Sequence, residues 1–240
     1  MSKTVQLFVT CIIDALYPET GEAVVRVLQR SGCSIEFPVE QTCCGQPAFN
    51  AGMRKQARQM AENTIRAFEN SVGDIVIPSG SCAGMVKHGY GELFADDPDW
   101  LKRAEEIANR TYEFSEYLVD ELDIEDIQAE YSDKITYHSS CHLLRDLGID
   151  EQPQRLLTNV RGTEIIPLPK REECCGFGGL FSIEHPEISK AMLDRKIENF
   201  IASGAGVLVS CDAGCVAHIS GGLQRRKIPL KAVHIADILD

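Results

Sequence analysis

The sequence predicts an α/β fold made of two pseudo-symmetric repeats, each with a small parallel sheet flanked by helices. Three observations support this prediction: a cysteine pattern that occurs twice, apolar segments that alternate between strand and helix periodicity, and cysteines placed just after predicted strands. Alternating strands and helices are typical of parallel sheets. We assign residues 1–128 and 129–240 to two successive cysteine-rich domains.

The chain contains 10 cysteines in 240 residues, and most of them belong to a repeated pattern. Cys43-Cys44-Gly45 recurs 131 residues later as Cys174-Cys175-Gly176. The eight cysteines of the pattern are Cys11, Cys43, Cys44 and Cys82 in the first copy and Cys141, Cys174, Cys175 and Cys215 in the second. Scattered packing thiols would not keep this register, so we interpret only Cys33 and Cys211 as buried thiols.

In the first repeat, strands and helices are expected to alternate. The predicted elements are a strand at 5–9, a helix at 22–30, a strand at 33–39, a helix at 53–68 and a strand at 74–77. The strands are runs of β-branched and aromatic residues, and the helices place apolar residues on one face with a period near 3.6.

The second repeat has the same order of elements. We predict strands at 134–138, 163–168 and 206–210 and a helix at 186–201. Residues 92–128 have no counterpart of equal length in the second copy, and within them residues 99–122 are expected to form one or two charged helices.

Every cysteine of the pattern lies just beyond the carboxyl end of a predicted strand. These strand ends share one edge of a parallel sheet, which is where ligands bind in such folds. We therefore expect each set of four cysteines to converge at one edge and to bind metal.

A glycine-rich segment follows the second cysteine pair. Gly176, Gly178 and Gly179, and Gly45 in the first copy, would let the backbone wrap closely with its N–H groups exposed. Such donors stabilise an anionic cluster, so we predict that these four glycines contribute to cofactor binding.

Four thiolates can hold zinc or an iron–sulfur cluster. Structural zinc sites use short C-x₂₋₄-C spacings, whereas the tight pairs here are adjacent residues that could reach different irons of a four-iron cluster. This spacing favours one or two [4Fe–4S] clusters, with zinc possible in one half. A nucleophile formed by Cys141 and His142 is the less favoured alternative, because adjacent side chains rarely face each other.

The net charge is −12, from 24 basic and 36 acidic residues. This charge argues against nucleic-acid binding, which requires a basic face. The sequence has no apolar run long enough for an integral membrane segment and no recognisable signal peptide, so we expect a cytoplasmic location. No flavin or nicotinamide motif is evident.

At the level of motifs, the sequence resembles the CCG cysteine-rich domain family. This family includes the B subunit of heterodisulfide reductase and the iron–sulfur subunit of glycolate oxidase, and the resemblance is strongest to its two-repeat LutA/YkgE-type branch of lactate-utilisation proteins. The matching segments include Gln41–Ala48, Gly80–Cys82, Tyr137–Cys141, Glu173–Gly179 and His218–Gly221. The resemblance covers essentially the whole chain.

The resemblance implies an iron–sulfur oxidoreductase subunit of a complex that oxidises L-lactate to pyruvate, with LutB-like and LutC-like companion subunits. One position departs from the family pattern. Met85 and His218 stand where many members end each copy with a further cysteine, so a five-thiolate cluster would lack its last ligand. We interpret both residues as packing and polar neighbours.

Two other functional classes are compatible with the same residues. One is a heterodisulfide-reductase-like or glycolate-oxidase-type subunit, and the other is a zinc-stabilised interaction module. Visible colour separates iron–sulfur protein from zinc protein, and activity with L-lactate separates the oxidoreductase classes.

Overall fold

The computed structural model describes residues 2–240. In the first repeat, four strands form a parallel sheet in the order β2-β1-β3-β4. These strands are β1 (Lys3–Leu7), β2 (Cys33–Glu36), β3 (Asp74–Ile77) and β4 (Thr111–Glu113).

The second repeat forms a parallel sheet of the same strand order, β6-β5-β7-β8. These strands are β5 (Lys134–Tyr137), β6 (Glu164–Ile165), β7 (Val207–Ser210) and β8 (Lys231–His234). The identical order of two parallel sheets confirms the predicted α/β fold of two pseudo-symmetric repeats.

Helices connect the parallel strands. The first repeat has α1 (Cys11–Leu16), α2 (Pro18–Arg30), α3 (Gln46–Asn50), α4 (Arg54–Phe68), α5 (Gly80–Gly84), α6 (Tyr90–Leu93), α7 (Pro98–Ala108) and α8 (Phe114–Glu116), with π-helical turns at Met85–Gly89 and Tyr117–Glu121. The second has a π-helical turn at His142–Asp146, then α9 (Glu151–Thr158), α10 (Phe181–Glu184), α11 (Pro186–Ser203), α12 (Ala213–Arg225) and α13 (Ile235–Leu239).

The segment 99–122 is not purely helical as predicted. Helix α7 ends at Ala108, and β4 adds a strand at the edge of the first sheet before α8 begins. Its counterpart at the edge of the second sheet, β8, was also absent from the predicted elements. Both strands are short and have at most two apolar residues each, so their sequences show little β periodicity.

One hydrophobic core lies between the two sheets and is built from both repeats. Alternate residues of the strands point into it, such as Val5 and Leu7 from β1 and Val207 and Val209 from β7. Separate clusters cover the outer face of each sheet. Because the central core is shared, the division into domains at residue 128 stays a prediction.

The last helix of each repeat packs across to the other repeat. Helix α13 packs against α2, and α8 packs against α9, so the two contacts are related by the pseudo-symmetry. Arg26 and Arg30 of α2 form ion pairs with Asp240, which follows α13. Among residues 2–240, no helix has both the length and the apolar character needed to span a bilayer.

Candidate metal centres

All eight cysteines of the repeated pattern line one cavity at the carboxyl ends of the strands. The cavity has a volume of about 130 Å³ and receives residues from both repeats. Its cysteines are Cys11, Cys43, Cys44, Cys82, Cys141, Cys174, Cys175 and Cys215. The structure therefore brings the expected cysteines together. It also shows that the two sets of four line the same cavity.

In the first set, the thiols form a chain of contacts from Cys11 through Cys43 and Cys44 to Cys82. Hydrogen bonding from Cys11 lowers the pKa of Cys43 to about 3, and the same interaction raises the pKa of Cys11. The set thus stabilises a thiolate on Cys43, which is the ionised form that binds metal.

The second set repeats this arrangement, from Cys141 through Cys174 and Cys175 to Cys215. The sulfur atoms of Cys175 and Cys215 are 3.1 Å apart. Hydrogen bonding from Cys141 lowers the pKa of Cys174 to about 2. The first cysteine of each adjacent pair, Cys43 or Cys174, is therefore the one whose thiolate is stabilised in its repeat.

Each cysteine pair is followed by a glycine in the left-handed backbone conformation. Gly45 and Gly176 both have φ of 89°, and their N–H groups point to the sulfur atoms of Cys43 (3.5 Å) and Cys174 (3.3 Å). A Cβ atom at Gly176 would lie 2.7 Å from the carbonyl oxygen of Ser189. Both the backbone conformation and the close packing thus require glycine at this position.

Gly178 and Gly179 also line the cavity. Their role in cofactor binding, like that of Gly45 and Gly176, stays a prediction, as does the assignment of the eight cysteines as metal ligands.

Two buried polar side chains beside the second set were not identified from the sequence. Burial lowers the pKa of His138 to about 4, so its imidazole is neutral near pH 7. Lys196 is fully buried in α11, and its Nζ donates hydrogen bonds to the carbonyl oxygens of Lys170 (3.1 Å) and Arg171 (3.3 Å). Burial lowers the pKa of Lys196, while the nearby thiolates oppose that shift.

Asp212 joins the two repeats at the cavity. Its Oδ1 caps α12 by accepting from the N–H groups of Gly214 (3.1 Å) and Cys215 (3.3 Å). Its Oδ2 accepts from the Ser81 N–H (2.9 Å) and the Ser79 hydroxyl (3.3 Å) of the first repeat. One carboxylate therefore orients the starts of two helices that each carry a cysteine of the pattern.

The structure disfavours a nucleophile formed by Cys141 and His142. The His142 ring contacts the Asp146 carboxylate through Nδ1. Its Nε2 lies 3.1 Å from the side-chain nitrogen of Gln46. The carboxylate of Asp146 is an orienting group that is not evident from the sequence. Both ring nitrogens are nevertheless engaged by residues other than Cys141.

The remaining residues noted in the sequence pack against other parts of the fold. Cys33 and Cys211 are buried, and neither lines the cavity. Met85 is buried, and His218 packs against Phe177 and contacts the Ser189 hydroxyl at 3.3 Å. A larger groove, of about 620 Å³, lies beside His218 between α11 and α12 but is not lined by cysteines.

Comparison with known proteins agrees with the repeated site. The family model described as "Cysteine-rich domain" (CCG) matches twice, over residues 5–87 and 135–220. The fold and the site therefore define a cysteine-rich (CCG) domain protein with two copies of the motif.

The curated relatives are similar over nearly the full chain. The chain is 47% identical to lactate utilization protein A of Shouchella clausii and 46% identical to that of a Geobacillus species, covering 98% of both chains in each case. It is 44% identical to the same protein of an Exiguobacterium species, over 98% of this chain and 96% of the relative. The chain belongs to the lactate utilization protein A family.

A solved structure supports the fold alone. A hypothetical protein from Helicobacter pylori has a TM-score of 0.69 with 11% sequence identity. The alignment covers 99% of this chain and 48% of that chain, so the chain spans about half the length of this structural relative.

Proposed function

We propose that the chain is an iron–sulfur subunit of an L-lactate-oxidising system. The observation that carries this proposal is the convergence of eight cysteines, as two sets of four, on one cavity. The named relatives, which are lactate utilization A proteins, supply the substrate class.

The donor atoms fit iron–sulfur clusters. Each set offers four sulfur atoms, and a backbone N–H of Gly45 or Gly176 already points to one of them. Hydrogen bonds to sulfur are a means by which proteins stabilise such clusters. The adjacent pairs Cys43-Cys44 and Cys174-Cys175 also suit four separate irons better than one tetrahedral zinc ion.

In this proposal Cys11, Cys43, Cys44 and Cys82 hold one [4Fe–4S] cluster, and Cys141, Cys174, Cys175 and Cys215 hold the other. Such clusters supply one-electron transfer. Oxidation of one lactate to pyruvate releases two electrons and two protons, so one electron per repeat matches the reaction. The protons leave to solvent, and the electrons pass to an acceptor on a companion subunit.

Companion subunits of the LutB and LutC types would complete the system. Residues 2–240 show no recognised motif for an organic hydride acceptor, and in this proposal lactate reacts elsewhere in the complex. The purified chain should not oxidise L-lactate with an artificial acceptor until these companions are added. Rapid oxidation by this chain alone would contradict an electron-transfer role.

Iron and sulfide counts on anaerobically purified protein test the cofactor directly. We expect brown protein with about eight irons and eight sulfides per chain. The substitutions Cys44→Ser and Cys175→Ser should each remove about half of the iron, because each deletes a ligand of one set. Cys33→Ala is the matched control, since this buried cysteine lies outside the cavity.

Colourless protein with stoichiometric zinc would contradict the proposal and support a structural metal site instead. Full iron content in both serine variants would show that the ligands are other residues.

A further inference from the structure

His138 follows β5 directly, and its side chain is completely buried. Within the described residues 2–240, its Nε2 atom has no hydrogen-bond partner. A buried polar atom without a partner is costly, so native proteins rarely leave one unexplained. This nitrogen is therefore available to bind a group at the site.

The other ring nitrogen fixes the orientation of the imidazole. His138 Nδ1 lies 3.0 Å from the carbonyl oxygen of Arg171. A carbonyl can only accept a hydrogen bond, so Nδ1 carries the hydrogen and Nε2 carries the free lone pair. The Arg171 carbonyl also accepts from Lys196, which holds this acceptor in place.

His138 lies beside two cysteines of the second set. A ring nitrogen of His138 and the sulfur atoms of Cys175 and Cys215 all lie within 4.8 Å of one another, and Nδ1 is already engaged by the Arg171 carbonyl. A histidine that donates one ring N–H to a carbonyl and directs the other nitrogen to thiolates has the geometry of a metal-binding histidine.

We propose that His138 Nε2 is a ligand to one iron of the cluster held by the second set, on the side of Cys175 and Cys215. The inference rests on the iron–sulfur function proposed above and adds a fifth protein donor to the second site. It also makes the two sites chemically different. His138 lies three residues before Cys141. The equivalent residue of the first repeat, three residues before Cys11, is Phe8, which has no donor atom.

Isotope labelling tests this ligand without any substitution. The anaerobically purified protein, reduced with dithionite, is compared by pulsed electron paramagnetic resonance with the same protein containing ¹⁵N-histidine. We expect a nitrogen coupling that changes with the label and disappears in His138→Ala. The control His218→Ala should retain it, because His218 Nε2 contacts the Ser189 hydroxyl.

Iron release to a chelator provides a second measurement. Loss of one ligand in His138→Ala should make release from the second site about tenfold faster or more, whereas the first site keeps its rate. His138→Cys restores a ligand atom and should return release close to the wild-type rate.

The outcomes separate this inference from the proposed function. Wild-type protein that contains iron but shows no histidine-dependent coupling, or a His138→Ala variant that releases iron at the wild-type rate, overturns the role of His138 alone. Wild-type protein purified without iron or sulfide overturns both.

Discussion

Glu113 is a buried acid at the end of β4, and its surroundings favour the neutral form. Its Oε2 accepts hydrogen bonds from the N–H groups of Ser115 (2.7 Å) and Glu116 (3.2 Å), which caps α8. Burial nevertheless raises the pKa of Glu113 from 4.5 to about 8. The folded protein therefore keeps a proton here that the unfolded chain releases.

This proton makes stability depend on pH. Between about pH 5 and pH 8 the folded state binds one more proton at Glu113 than the unfolded state, so the contribution of Glu113 to stability falls as pH rises. The slope is at most about 1.4 kcal/mol per pH unit. Glu113→Gln should remove this slope while keeping an acceptor for the cap.

Urea unfolding of the two proteins at several pH values, followed by circular dichroism, measures the difference. Glu106→Gln, at an exposed position of α7, is the control. Equal pH dependence in wild type and Glu113→Gln would contradict a raised pKa at this position.

The residue-level roles that the sequence did not predict depend on tertiary contacts. The cysteines could be found because their spacing repeats along the chain. His138 lies in a recognised segment three residues before Cys141, but only the fold shows that its Nε2 is buried without a partner and that the ring lies beside Cys175. Lys196 lies on a helix predicted from its apolar periodicity, where a lysine would ordinarily face solvent.

At the scale of elements, α8 and α13 each pack against a helix of the other repeat, and these contacts hold the two halves together. Ile238 of α13 is buried in the core between the sheets. The strands that precede these helices, β4 and β8, were not predicted, because their short sequences contain too few apolar residues to show an alternation. Residues 114–118 and 235–239 have similar sequences, and both segments are helical and follow a capping box.

Ile238→Ala should therefore destabilise the protein by about 2–5 kcal/mol, the range for deleting a buried isoleucine side chain. The matched control is Ile188→Ala, since Ile188 is 57% exposed on α11 and should cost less than about 0.5 kcal/mol. Chemical unfolding of both variants measures the difference, and equal losses would show that α13 contributes little to the shared core.

At the scale of the whole molecule, the carboxyl ends of both sheets meet at one cavity. The sequence predicted that each set of four cysteines would converge within its own repeat. It could not predict that the two sets share a cavity, because the packing of one sheet on the other depends on contacts between distant segments. Asp212 is the side chain that connects the two sides of this cavity by hydrogen bonds.

Asp212→Ala should remove caps from helices of both repeats at once. We expect a loss of about 2–3 kcal/mol in the free energy of unfolding, because several buried N–H groups would lose their acceptor. Asp97→Ala, which removes the cap of α7 within the first repeat only, should cost about 1 kcal/mol. A loss at Asp212 no greater than that at Asp97 would argue against its joining role.

The core between the sheets has a further consequence for a protein made of only one repeat. Such a protein would expose the apolar faces that α2 and α13 now cover in each other. It could bury them only by forming a homodimer around a true two-fold axis, with its last helix lying on the partner. Fusion of two copies into one chain makes that association intramolecular, so the pairing no longer depends on protein concentration. Fusion also frees the copies to diverge, and a histidine can then precede the first cysteine of the second copy where the first copy keeps a phenylalanine.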